Sequence, residues 1–116
     1  MVDLSVVIVS WNVRDLLRRC LASVLSAPQP ADGDLAPLPD REPTLEIIVV
    51  DNASADGSPD LVRAEFPQVH LIANPDNRGF TAGNNQGLVE STGRLLLLLN
   101  PDTEILGDAL STMMAY

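Results

Sequence analysis

The chain has 116 residues, enough for one compact domain around a single apolar core. Hydrophobic residues make up 46% and charged residues 20%, a globular balance that excludes a disordered chain. Seven arginines and no lysine against sixteen acids leave a net charge of −9, which argues against a nucleic-acid partner and against docking on anionic lipid through a polybasic surface.

The N-terminus, Met1-Val2-Asp3-Leu4, lacks the basic region of a signal peptide, and no apolar run approaches the ~20 residues that span a bilayer. A lone cysteine makes no internal disulfide. The expected setting is therefore the cytoplasm. Leu4 to Val9 is the first predicted strand. Leu16, Leu17, Cys20, Leu21, Val24 and Leu25 then recur on one stripe of a helix, with Cys20 as a packing residue. Five of the nine prolines fall between Ala27 and Thr44, so residues 27–44 are expected to be a Pro-rich surface loop. Leu45 to Val50 is the second strand. Ser58-Pro59 reads as an N-cap followed by a first-turn proline, opening a helix to Glu65 that Pro67 closes. Val69 to Ala73 is the third strand, and a helix is expected from Thr81 to Ser91. Leu95 to Leu99 is the fourth strand, because Gly93 and Pro101 leave no room for a helix. A further helix is expected near Asp108.

Strand and helix alternate four times, and the strands are continuously apolar rather than alternating. The fold class is therefore α/β: a Rossmann-like, mostly parallel sheet covered by helices on both faces, with residues 1–116 forming a single domain. In such sheets ligands bind outside the carboxyl ends of the strands. The residues there are Ser10, Trp11 and Asn12; Asp51, Asn52, Ala53 and Ser54; Asn74 to Gly79; and Asn100 to Glu104. All four ends are polar and three carry a carboxylate, which points to a polar ligand.

Each of these residues carries two readings. Trp11 either stacks on a nucleobase or packs on the following helix. Asp51 accepts from a base N–H or ribose hydroxyl, or caps the Ala53–Asp56 turn. Arg78 contacts a phosphate at a helix N-terminus or pairs with a neighbouring acid. Asp102 is a hard-metal ligand or a turn residue of Asn-Pro-Asp. His70 has no partner pattern.

The ordered set of motifs narrows the choice. Ser5 to Asn12, Ile47 to Ser54, Asn77-Arg78-Gly79-Phe80 with Ala82 to Gly87, and Leu98 to Asp102 together resemble the N-terminal half of inverting family 2 glycosyltransferases, especially the rhamnosyltransferase-like branch. The resemblance implies a GT-A fold and a nucleotide-diphosphate-sugar donor (UDP- or dTDP-linked), with a glycan or lipid-linked acceptor for the full-length enzyme, at the inner face of the membrane. It implies that Ser10, Trp11, Asn12, Asp51, Asn52, Arg78 and Asn100 bind the nucleotide. It also implies that Asp102, matching the last acid of an Asp-X-Asp motif, holds Mg²⁺ or Mn²⁺. Asn100 stands for the usual first Asp, and Asn52 for a second Asp found in many relatives.

In the family the general base follows the metal motif at some distance, and Glu104 and Asp108 are the only later acids here. Glu104 lies too near Asp102 to serve. The catalytic base is therefore expected outside this chain. The chain is expected to be a truncated donor-binding part, inactive alone and prone to self-associate through its last strand. The alternatives are a non-catalytic nucleotide-binding or interaction module and a sugar nucleotidyltransferase. Trp11-Asn12-Val13-Arg14 is not the Gly-rich basic loop of the latter.

Overall fold

The computed structural model describes residues 2–26 and 44–102. The order is β1 (Leu4–Ser10), α1 (Arg14–Ser26), β2 (Leu45–Asn52), α2 (Ser58–Glu65), β3 (His70–Asn74), α3 (Gly79–Glu90) and β4 (Leu95–Leu99). The Pro-rich segment before Thr44, Glu104 and the helix expected near Asp108 lie outside the described residues. All pairings are parallel, and the strands lie in the order β3-β2-β1-β4. No helix among the described residues is long and apolar enough to cross a membrane.

Alternation along the central strands sorts their apolar side chains onto two faces. Val6 and Ile8 of β1, with Ile47 and Val49 of β2, share a core with Leu17, Cys20, Leu21 and Val24 of α1 and Leu61 and Val62 of α2. Val7, Val9, Ile48 and Val50 form a second cluster on the opposite face, beneath α3. The expected cover on both faces thus holds for β1 and β2. It fails for β4, where Leu95, Leu96 and Leu98 are 38%, 44% and 48% exposed. Among the described residues β4 has β1 as its only sheet neighbour, and α3 packs on β2 and β1.

Two helix starts differ from expectation. Gly57, in the left-handed region at φ 86°, caps α2, and Ser58 is already helical. The Asp56 carboxylate accepts from both the Ser58 N–H and the Ser58 hydroxyl, so the serine is a donor here rather than the cap. Helix α3 begins at Gly79, ahead of the expected Thr81, because the Asn77 side chain accepts the Gly79 N–H at 2.8 Å and Gly79 takes a φ of 85°.

Helix α3 buries no leucine stripe; its buried residues are Gly83, Asn84 and Gly87. The two glycines, one turn apart, let its backbone come within 8 Å of β1 and β2. A Cβ on Gly83 would lie 2.8 Å from Val9 Cγ1, and one on Gly87 would collide with Val7. Gly87→Ala therefore sets a helix-propensity gain of about 1 kcal/mol against an overpacking cost of about 1–3 kcal/mol. Val7 is β-branched and fully buried, so overpacking wins. Urea unfolding should show a loss of about 1–2 kcal/mol for Gly87→Ala and almost none for the exposed Thr81→Ala. A stabilised Gly87→Ala would contradict this packing.

Candidate functional site

The sheet reverses direction at β1: β2 and β3 lie to one side of it and β4 to the other. In open parallel sheets this reversal splays the loops at the carboxyl ends apart and opens a crevice. A cleft of about 340 Å³ lies there, lined by Val9, Trp11, Phe80, Asn100, Pro101 and Asp102 among others. A larger cavity of about 420 Å³ runs along α3 beside Ile72, Ala82, Gln86 and Val89. It lies away from the ends of β1 and β4 and gathers none of the expected ligand residues, so the cleft is the better candidate.

The wall carrying Trp11 is set by a clamp between two loops. Ser54 donates its N–H to Asp51 Oδ2 at 2.9 Å and its hydroxyl to Asp51 Oδ1 at 2.6 Å. Ser54 Oγ in turn accepts the Asn12 N–H at 2.9 Å, and Asn12 Oδ1 accepts the Ala55 N–H at 2.7 Å. Asn12 sits at φ 51° and Ala53 at φ 62°, left-handed turns that these bonds hold in place. Two residues beyond Asn12, the Arg14 N–H donates to Asp56 Oδ2 at 2.9 Å. Trp11, between Ser10 and Asn12, is thereby held at its neighbours' backbone while the residue stays 54% exposed.

The opposite wall is held by side-chain amides. Asn52 Nδ2 donates to the Gly79 carbonyl at 3.0 Å, and Asn52 Oδ1 accepts from Asn74 Nδ2 at 2.9 Å. Asn74 and Gln86 exchange a pair of bonds at 2.7 and 2.9 Å.

Of the residues expected at the ligand, the structure brings Trp11, Asn100 and Asp102 together in the cleft. Asn12 lines an adjoining cavity on the α1 side. Asp51 is buried and engaged by Ser54, the turn-capping arrangement, and Asn52 is buried behind α3. Ser10 is fully buried beside Asp51, and its hydroxyl has no hydrogen-bond partner among the described residues. Its even position in β1 turns it toward α1 and α2 rather than α3. Arg78 pairs with Asp76 at 3.2 Å on the surface, the ion-pair alternative, and such exposed pairs contribute little.

Sequence reasoning assigned no role to Phe80 or to the Asn74–Gln86 amide pair. Phe80 was legible as one of only four aromatic residues, standing directly after the Arg-Gly turn. The pairing of amides across β2, β3 and α3 has no signal in a single sequence.

Chemically, the cleft offers the exposed aromatic side chains of Trp11 and Phe80 together with the exposed Asp102 carboxylate, which no described residue engages. Among the described residues no group of three His, Cys, Asp or Glu side chains could hold a metal unaided.

Comparison with known proteins shows the family and agrees with the fold. Residues 5–116 match the family described as Glycosyl transferase family 2. The succinoglycan biosynthesis protein ExoO of Rhizobium meliloti is 32% identical over 112 residues, a match covering 96% of this chain and 28% of that protein. The mannosyltransferase PcManGT of Pyrobaculum calidifontis, solved with GDP-Man and Mn²⁺, is 23% identical with a TM-score of 0.75, covering 97% of this chain and 31% of its own. TarS 1–349 of S. aureus in complex with UDP is 19% identical with a TM-score of 0.73, again covering 97% and 31%. The chain thus spans about a third or less of the length of each of these proteins.

The clamp makes one stability prediction. Burial pushes the Asp56 carboxyl up, but hydrogen bonds from the Ser58 hydroxyl and from the backbone N–H groups of Arg14 and Ser58 outweigh it and hold the group below its ordinary 3.8. A depressed value in the folded state stabilises the fold above the unfolded value, and that contribution is lost as pH falls through the folded one. Asp56→Asn should lower stability at pH 7 by about 1–2 kcal/mol. Urea unfolding should show the gap from wild type closing below about pH 3.8. A gap unchanged between pH 7 and pH 3 would contradict it.

Proposed function

Because the chain belongs to glycosyl transferase family 2, we propose that its cleft binds the nucleoside diphosphate of an activated sugar, from which the sugar passes to a glycan or lipid-linked acceptor with inversion at the anomeric carbon. One observation carries this reading: at the reversal point of the sheet, an exposed tryptophan and an exposed carboxylate share one cleft. Trp11 meets the base, and Asn100 and Asp102 lie toward the diphosphate. The ligands named for the two structural neighbours, GDP-Man with Mn²⁺ and UDP, support a nucleotide-sugar donor. The name of ExoO supports a role in polysaccharide biosynthesis. Asn100-Pro101-Asp102, with asparagine ahead of the acid, favours the rhamnosyltransferase-like branch and a dTDP-rhamnose donor. The exposed leucines of β4 favour self-association along that edge.

The residues present fit a hard divalent cation. Mg²⁺ takes one or two carboxylates together with substrate phosphates and keeps several waters, so a single carboxylate that no described residue engages is an adequate protein ligand. Asp102 would hold Mg²⁺ or Mn²⁺, which when bound offsets the charge of the diphosphate and stabilises it as a leaving group. The rest of the donor site is built by this chain's own groups. The Asp51–Ser54–Asn12 clamp orients Trp11, and the buried amides fix the start of α3 across the cleft. Inversion also needs a carboxylate that takes the acceptor's hydroxyl proton. That group is assigned to no described residue.

Calorimetry tests the reading. With a net charge of −9, the wild type should bind UDP or dTDP weakly without metal and at least about tenfold more tightly with Mg²⁺, or ~1.4 kcal/mol. Asp102→Asn should remove most of that gain. Trp11→Ala should weaken binding with or without the metal. A metal effect that survives Asp102→Asn unchanged would remove Asp102 from the site.

A further inference from the structure

Phe80 takes no part in either core cluster. It is 58% exposed, and its side chain lines the cleft with Trp11, Asn100 and Asp102. A single exposed phenylalanine is ordinary on a protein surface. This one stands on a backbone that buried polar groups fix from behind. The preceding residue, Gly79, is held through its N–H by Asn77 and through its carbonyl by Asn52. Asn52 is held by Asn74, and Asn74 by Gln86, about two turns along the same helix. The relay therefore leaves α3 at Gln86, crosses β3 and β2, and returns to α3 at its first residue. Buried amides are tolerated only where their donors and acceptors are met, and such a satisfied network rigidifies what it joins. What it joins here is the turn that carries an unburied ring.

We propose that Phe80 is a second aromatic contact for the base of the bound nucleotide, and that the Gln86–Asn74–Asn52 relay is the positioning device that holds it in the cleft. The proposal rests on the nucleotide reading of that cleft. Trp11 and Phe80 then give the base two apolar surfaces from two different elements, contacts that tolerate any base because every base has a π-face. Asn52 acts through Gly79 rather than by touching the ligand.

Trp11 is the only tryptophan, so its fluorescence reports occupancy of the cleft in the full 116-residue chain. UDP and dTDP with Mg²⁺ are titrated against wild type, Phe80→Ala, Phe80→Tyr, Gln86→Met and the double variant Phe80→Ala/Gln86→Met, and Mg²⁺-pyrophosphate, which has no base, is titrated by calorimetry. Phe80→Ala should weaken nucleotide binding by roughly tenfold and leave pyrophosphate within about twofold, while Phe80→Tyr retains wild-type affinity. Gln86→Met should weaken nucleotide binding by about threefold or more, with no further loss on the Phe80→Ala background, because a relay acting through Phe80 has nothing left to position. Wild-type affinity in Phe80→Ala, or an equal loss for pyrophosphate, would overturn the ring contact. An equal effect of Gln86→Met in both backgrounds would overturn the relay. A wild type that binds neither nucleotide would overturn the nucleotide reading of the cleft and this proposal with it.

Discussion

Strand β1 has neither a free edge nor a free face. β2 pairs along one side of it and β4 along the other. Its even-numbered side chains pack with α1 and α2, and Val7 and Val9 lie under the glycines of α3. A parallel strand in that position needs crossovers leaving in both directions, which places helices on both faces and splays the loops at its carboxyl end. The position of the cleft follows from this one strand. Its lining comes from the residues just beyond β1, beyond β4 and at the start of α3.

The same constraint explains why the cleft walls are polar behind and aromatic in front. Loops at a splayed junction have no ladder to pair with, so their backbone groups need side-chain partners. Asp51 and Ser54 supply these on the Trp11 side, and Asn52 and Asn77 on the Phe80 side, with Asn74 and Gln86 bonded behind Asn52. Each network is anchored in a strand end, the stiffest available support. The rings are left exposed but on fixed backbone, which lowers the ordering cost of binding a flat ligand. Asp102, just beyond β4, is the acid in the cleft that no such network engages.

The sheet and its helices were legible because burial on both faces writes continuous apolar runs, and those of Leu4 to Val9 and Leu45 to Val50 have no other reading. The helix stripe of α1 was equally plain. Helix α3 was placed less accurately, since it packs through Gly83 and Gly87 and its start depends on the Asn77 side chain, which periodicity does not record. At the site, Trp11 and Asp102 stood out as rare or charged residues at strand ends. Ser10 was expected there from the resemblance, but pleat parity turned it inward. Asn52 sits on the α3 side of β2, and its partners, Asn74 and Gln86, are set by tertiary contact alone. The exposed leucines of β4 show the limit of composition: an apolar run predicts a strand without saying what covers it.

The central claim is that the cleft at the β1–β4 reversal, rather than the larger cavity along α3, is where a nucleoside diphosphate binds. Amide NMR on the isotope-labelled chain titrated with Mg²⁺ and UDP or dTDP addresses it directly, since the single tryptophan gives a single indole resonance. The account predicts that the Trp11 indole moves with the amides of Phe80, Asn100 and Asp102 and saturates at one affinity. Shifts confined to Ile72, Ala82, Gln86 and Val89, with the Trp11 indole unmoved, would contradict it.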